Sequence, residues 1–252
     1  MRPEAQREAF FVGWDVGGWN CDNNPRSRDA IVILDSALAI VGNPWRGNLR
    51  EHINETGTTD DWIGKLFTLC ETTPPGASSQ ITMAIDTPLG FSEELLQLAA
   101  GLNHAEPVGQ SKTNRYLFRY TERHLFAHGM APLSAVKDMI GSQATKGMHV
   151  LAKFAPRIED CGVWTGGDHF HAIETYPAAC RKSRTIRDIK KDQTPLKSED
   201  LEDARTCALV AYVFASDREL LEPPRADVPI REGWIWLPRD VYGTHQDMQV
   251  KT

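Results

Sequence analysis

Three short apolar runs of this chain each end on an acidic residue. Asp15 follows the run 10–14, Asp86 follows the run 81–85, and Glu174 follows the mostly apolar run 170–173. Continuous apolar runs of this length are typical of strands that are buried on both faces of a sheet. Because a strand fixes the direction of the side chain at its end, these carboxylates are predicted to meet at one edge of a sheet.

A second acidic group lies at the start of the most regular helix in the sequence, which is predicted over 199–221. Asp200 and Asp203 are three residues apart, so they occupy one face of that helix. Acidic side chains are also favoured at the positive end of a helix dipole, and the pair alone fits that structural role. Together with the strand-end acids, the pair indicates a shared site.

The order of the predicted elements indicates an α/β protein. The first elements follow the order β-β-β-α-β and cover residues 10–16, 30–34, 37–41, 58–71 and 81–85. The close spacing of the first three strands is typical of an antiparallel meander. The chain has 252 residues, which suits a single domain. We predict that this domain spans 9–240 and carries a helical insert over 101–156, with helices over 114–127 and 134–154. A glycine-rich turn is predicted over 161–168.

Clustered carboxylates are the ligands that Mg²⁺ and Mn²⁺ prefer. Two such ions, about 3.5–4 Å apart, can orient a water and stabilise the leaving oxygen when a phosphodiester is cleaved. The predicted catalytic residues are Asp15, Asp86, Glu174 and Asp203. The predicted ligands of Mg²⁺ or Mn²⁺ are Asp15, Asp86, Asp200 and Asp203. The pattern therefore favours a metal-dependent nuclease, with nucleic acid as its partner.

Substrate contacts are predicted at Arg119 and Arg123. Together with Arg115 they recur at helical spacing, and aromatic residues lie between them. Such a stripe could contact phosphates and stack on bases, and it also fits an ordinary charged helix surface. The net charge of −6 argues against tight, non-specific binding to a duplex, because nucleic-acid binders are usually basic.

The five cysteines are scattered and form no C-x-x-C motif, which predicts reduced thiols and a cytoplasmic protein without a structural zinc site. No apolar run approaches the roughly 18 to 20 residues that a membrane span needs. We therefore expect no membrane partner. A homodimer stays open, because the sequence does not indicate an oligomeric state.

Four acid-bearing segments occur in an order that resembles the domain of unknown function 429 family. They cover residues 12–18, 84–90, 173–177 and 200–204, and Gly233-Trp234-Ile235 also fits the family pattern. The resemblance spans about 11–238. That family is regarded as predicted ribonuclease-H-like nucleases, akin to Holliday-junction resolvases.

The resemblance implies a ribonuclease-H-like fold: a mixed five-stranded sheet, with its first three strands antiparallel and helices on both faces. It implies that Asp15 is the acid of the first strand, Asp86 that of the fourth strand and Asp203 that of the closing helix. Glu174 matches the family's glutamate before a Tyr-Pro step. Resolvase-like relatives often carry histidine three residues before the helix aspartate, where this chain has Asp200.

Two other functions stay open. The segment 15–18 resembles a phosphate loop, which would suit an actin-like or sugar-kinase-like phosphotransferase. Against this, Asp86 lacks a following Gly-Gly, and 252 residues are few for two such lobes. The third hypothesis is a catalytically silent binding module of the same fold. The sequence does not distinguish DNA from RNA.

Overall fold

One mixed sheet of seven strands forms the centre of the protein. The computed structural model describes residues 8–24 and 26–242. The strands are β1 (Ala9–Asp15), β2 (Asp29–Asp35), β3 (Trp45–Gly47), β4 (Gln80–Asp86), β5 (Arg157–Asp160), β6 (Val163–Thr165) and β7 (Phe170–Glu174). Their spatial order is β3-β2-β1-β4-β7-β6-β5. The predicted α/β class is confirmed, whereas the prediction of five strands is wrong.

The two additional strands lie at one edge of the sheet. β6 pairs antiparallel with β7, and β5 pairs antiparallel with β6. The stretch 161–168 was predicted to be a glycine-rich turn. Three of its residues, Val163–Thr165, form a buried strand instead. Strands this short carry no period that distinguishes them from a turn, and burial against β7 stabilises this one.

The three central strands run in the same direction. β1 pairs parallel with β4 from Ala9↔Gln80 to Asp15↔Asp86, and β4 pairs parallel with β7 up to Ile85↔Glu174. β2 runs antiparallel to β1 and to β3. The carboxyl ends of β1, β4 and β7 therefore share one edge of the sheet, and their three terminal acids lie there.

The third strand was predicted over 37–41, and this position is wrong. The Asp35 carboxylate accepts hydrogen bonds from the amides of Ala37 and Ala39, both at 2.9 Å. Leu38 adopts a left-handed conformation with φ of 63°. These contacts close a tight turn directly after β2, and the chain reaches its third strand only at Trp45.

Eight α-helices accompany the sheet in the described residues. They are α1 (Arg50–Glu55), α2 (Thr59–Leu69), α3 (Glu93–Gly101), α4 (Tyr120–Ala127), α5 (Gly141–Phe154), α6 (Pro177–Cys180), α7 (Arg184–Lys190) and α8 (Glu199–Ser216). Short 3₁₀ turns cover Cys21–Asn23, Ser111–Thr113, Arg218–Leu220 and Arg239–Tyr242.

Helices pack on both faces of the sheet, because the central strands are apolar on both sides. α8 lies on the face that includes Phe11 and Ala84. α2 and α5 lie on the opposite face with Val12 and Trp14, where the rings of Trp62 and Phe154 stack with centroids 5.0 Å apart. The two faces use alternate residues of each strand, as the pleat of a β-strand requires.

Gly13 allows α8 to approach β1 closely. A Cβ atom at Gly13 would lie 1.7 Å from the carbonyl oxygen of Ala204 in α8. Any other residue would push the helix away from the strand. The missing side chain thus fixes the distance between the end of β1 and the first turns of α8, where Asp200 and Asp203 lie.

The segment 101–156 contains α4 and α5, but both helices begin later than predicted. The helix predicted over 134–154 begins at Gly141. Ser134 Oγ accepts hydrogen bonds from the amides of Val136 and Lys137 and closes a separate turn. Met139 then adopts a left-handed conformation with φ of 60°, which interrupts any helix through this point. The domain limits of 9–240 stay a prediction.

All five cysteines are buried and free. This agrees with the reduced thiols that their scattered spacing predicts. In the stretches 8–24 and 26–242, no helix is both long enough and apolar enough to cross a membrane.

Candidate active site

Asp15 and Asp86 lie side by side at the carboxyl ends of β1 and β4. They are direct partners in the parallel register, and neighbouring strands are about 4.8 Å apart. Side chains alternate between the two faces of a sheet. Asp15 therefore points to the same face as Phe11, and Asp86 to the same face as Ala84, which is the face that α8 covers. Within the described part of the chain, neither carboxylate accepts a hydrogen bond. Two adjacent acids without donors form the centre of the site.

The electrostatics of this pair disfavour two negative charges. Burial, followed by repulsion from Asp86, Asp200 and Asp203, raises the pKa of Asp15 well above its ordinary value. Burial, followed by repulsion from Asp203 and Glu174, raises the pKa of Asp86 from 3.8 to about 8. Arg181 partly opposes this rise. A positive charge placed between the two carboxylates would remove the repulsion.

This shift predicts a pH dependence of stability without metal. The pKa of Asp86 is higher in the folded than in the unfolded chain. Its contribution to the free energy of unfolding is therefore complete below pH 3.8 and is lost as the pH rises through about 8. Asp86→Asn should remove the part of the decline in unfolding free energy with pH that comes from Asp86. Urea unfolding of both proteins from pH 4 to 9 measures it. Equal slopes of unfolding free energy against pH in the two proteins would contradict the prediction.

Asp203 and Asp200 reach the same region from α8, and arginines bind both. Arg181 Nη2 donates to the two Asp203 oxygens at 3.0 and 2.9 Å and also contacts Glu199 at 2.8 Å. Arg46 Nε donates to Asp200 at 2.6 Å. Asp203 thus lies close enough to repel both Asp15 and Asp86, and Asp200 close enough to repel Asp15, but guanidinium groups are the resident cations of the α8 pair.

Glu174 lies on the next strand, but its side chain is held separately. It pairs with Ile85 in the register, so it points to the opposite face from Asp86. Arg119 donates to both of its oxygens at 2.8 and 2.6 Å, and the amide of Leu89 donates at 2.9 Å. Glu174 is therefore a fully bonded wall residue rather than a free member of the acidic pair.

The position of Arg119 corrects the prediction that the three arginines form a stripe on one helix. Its side chain is only 2% exposed and forms ion pairs with Glu122 and Glu174. Arg119 caps α4 instead of lying within it, so the spacing of Arg115, Arg119 and Arg123 does not describe one helix face. Arg123 Nη1 donates to the carbonyl of Phe118 at 2.7 Å. Arg119 is buried away from any substrate, and Arg123 also has a partner within the protein.

In the described residues, no three histidine, cysteine, aspartate or glutamate side chains are arranged to hold a metal ion. Asp200, Asp203 and Glu174 each pair with an arginine instead. The predicted Mg²⁺ or Mn²⁺ site stays a prediction. Asp15 and Asp86 fit such an ion, because they are adjacent, free of donors and mutually repelling.

A cavity of about 370 Å³ opens beside the acids. Its polar wall includes Asp15, Asp86, Thr87 and Glu174, and its apolar wall includes Val16, Pro88, Pro132, Leu133 and Ile140. Thr87 is 5% exposed, and its hydroxyl oxygen has no partner among the described residues. The sequence reasoning missed Thr87, although it directly follows Asp86. It also missed Arg181, for which the sequence offers no signal.

Backbone amides of the loop after β1 donate hydrogen bonds to side chains of the protein itself. The amide of Gly17 donates to Asp29 at 2.9 Å, and the amide of Trp19 donates to Ser142 Oγ at 2.8 Å. Lys146 Nζ is buried against this loop and forms an ion pair with Asp29. A phosphate loop needs free amides that point at the ligand. The loop geometry therefore gives no support to the phosphotransferase hypothesis.

Comparison of this chain with models of protein families, with curated proteins and with solved structures gives no match.

Proposed function

We propose that the protein is a divalent-metal-dependent nuclease with a ribonuclease-H-like core. One observation carries the proposal: Asp15 and Asp86 stand in register at the ends of two parallel strands, and Asp203 approaches them from α8. This is the first-strand, fourth-strand and closing-helix arrangement that the resemblance to the domain of unknown function 429 family implies.

The topology supports the fold part of the proposal. The strands β3, β2, β1, β4 and β7 are neighbours in that order, with the first three antiparallel and the last three parallel. The resemblance implies a mixed sheet whose first three strands are antiparallel, and β1, β2 and β3 pair in this way. β5 and β6 then form an edge extension beyond the core. Because fold does not determine activity, the acids carry the functional argument.

Asp15 and Asp86 are the residues that would hold Mg²⁺ or Mn²⁺. Such an ion supplies a positive charge that orients water and stabilises the charge on a phosphodiester and its leaving oxygen. Asp203 would join them after its release from Arg181. The released guanidinium could then donate to a phosphate oxygen, for which its planar fork is well suited. Arg119 donates to both oxygens of Glu174, so Glu174 is not free to act as a further ligand.

Arg181→Met should increase Mn²⁺ affinity several-fold. The substitution frees the Asp203 carboxylate as a ligand and removes a positive charge that would repel the ion. Calorimetric titration with MnCl₂ measures the effect. Arg157→Met is a matched control, because Arg157 is exposed and its Nη2 lies 3.5 Å from Asp168, a pair that does not involve the acids of the site. Equal Mn²⁺ affinity in the two variants would contradict a role of Arg181 as resident counter-ion.

The direct test of the proposal is cleavage. Purified protein with Mn²⁺ should cleave at least one member of a panel of single-stranded, duplex and branched DNA and RNA, and a chelator should stop it. Low salt is needed, because a protein of net charge −6 gains little from phosphate contacts. ATP consumption without cleavage would favour a phosphotransferase. Absence of both activities and of Mn²⁺ binding would favour a silent binding module.

A further inference from the structure

The cavity beside Asp15 and Asp86 has the size of a small-molecule site. Its volume of about 370 Å³ is near the lower end of the range of about 300–1,000 Å³ that is usual for such sites. This is room for one nucleotide and not for a double helix. Because both acids line the cavity, the group on which they act must enter it.

The lining combines two kinds of chemistry. The acids supply charged lining, and Pro132, Leu133 and Ile140 supply an apolar wall. Leu133 is 51% exposed, so an apolar side chain lies at the lip of a charged cavity. A metal ion or a bare phosphate needs no such wall. A nucleotide uses both sides, because its base packs on apolar and aromatic side chains while its phosphate stays with the charged groups.

Thr87 supplies an independent sign of a missing ligand. Its buried hydroxyl has no hydrogen-bond partner in the described residues, and an unsatisfied buried polar group is costly. α5 packs tightly on the other side of Thr87: a Cβ atom at Gly147 would lie 2.6 Å from the Thr87 methyl carbon. Gln143 of α5 also lines the cavity, and its amide can donate and accept hydrogen bonds.

The charges around the cavity disfavour an intact duplex. Three arginines near the acids are already paired: Arg46 with Asp200, Arg119 with Glu174 and Arg181 with Asp203. Binding along a duplex draws most of its affinity from many simultaneous phosphate contacts. A single nucleotide that enters an apolar cavity needs few of them.

We infer that the cavity receives one unpaired nucleotide, so that the protein acts on single-stranded or frayed nucleic acid and not on intact duplex. This inference rests on the proposed nuclease function and names its substrate class. The base lies against the wall at Leu133, and the Thr87 hydroxyl bonds to a polar atom of the nucleotide.

The test is calorimetric binding of thymidine 5′-monophosphate in the presence of Mg²⁺, with inorganic phosphate as the comparison ligand. The nucleotide should bind at least about tenfold more tightly than phosphate, because its base removes apolar surface of the wall from water and phosphate does not. Thr87→Val should weaken nucleotide binding about 2- to 13-fold, the equivalent of one hydrogen bond. Leu133→Glu should weaken it more, because it replaces the apolar surface on which the base packs with a charged group.

Leu96→Glu is the matched control, because Leu96 is 44% exposed on α3 and does not line the cavity. Its nucleotide affinity should equal that of the unmodified protein. Leu133 is exposed, so Leu133→Glu tests the wall even if Thr87→Val alters folding. Phosphate binding as tight as nucleotide binding would overturn the inference, as would a Leu133→Glu variant with unchanged affinity.

Cleavage assays separate this inference from the function on which it rests. Faster cleavage of a single strand than of the same sequence as a duplex supports both. Equal or faster cleavage of the duplex supports the nuclease and overturns the unpaired-nucleotide site. Nucleotide binding that Leu133→Glu abolishes, without cleavage of any substrate, supports the site and overturns the nuclease.

Discussion

Asp86→Asn is expected to reduce metal-dependent cleavage by more than about 100-fold, because even indirect loss of support for a metal ligand costs about 10–100-fold. The same substitution should stabilise the metal-free protein at pH 9. Asparagine has nearly the same shape as aspartate but carries no charge, so it removes the repulsion with Asp203 and Glu174 that accompanies the raised pKa of about 8. Cleavage rates and urea unfolding curves without metal measure the two effects.

The opposite signs of these effects distinguish a functional acid from a structural one. Loss of a structural carboxylate would lower stability and activity together. Asp188→Asn is the matched control, because Asp188 is exposed on α7, and both of its properties should stay unchanged. Asp15→Asn should behave like Asp86→Asn, since the pKa of Asp15 is raised by the same causes. Full cleavage by Asp86→Asn, or a marked loss of its stability, would contradict the assignment.

The sequence predicted the parts of the site that local patterns encode. The apolar runs before Asp15, Asp86 and Glu174 became β1, β4 and β7, each ending on its acid. The helix predicted over 199–221 begins at Glu199, as predicted, but ends at Ser216, and a 3₁₀ turn at Arg218–Leu220 follows it. These elements depend on neighbouring residues, so a run of apolar side chains is enough to locate them.

The partners of the acids could not be predicted, because they come from distant parts of the chain. Arg119 is 55 residues from Glu174, and Arg46 is 154 residues from Asp200. A spacing of four residues between arginines does not reveal whether their side chains face solvent or pair with a buried glutamate. The face on which Glu174 lies also depends on strand register, which pairs it with Ile85 and which no local pattern specifies.

The pairing of Arg119 predicts one of the largest stability effects in the molecule. Arg119→Met should lower the free energy of unfolding by about 3–5 kcal/mol, because it leaves two buried carboxylates without their counter-ion. Glu122 and Glu174 are each only 2% exposed, so water cannot replace the guanidinium. Urea unfolding at pH 7 measures the change. Arg157→Met, which removes an exposed pair, should cost less than about 1 kcal/mol.

A double variant separates charge from packing. Adding Glu174→Gln to Arg119→Met should recover part of the lost stability, because one of the two unpaired charges is removed while the shape is kept. If Arg119 only filled space, the second substitution would bring no recovery. The ion pair of Arg119 and Glu174 also affects Asp86. Without Arg119, the charge of Glu174 is no longer compensated, so its repulsion should raise the pKa of Asp86 further.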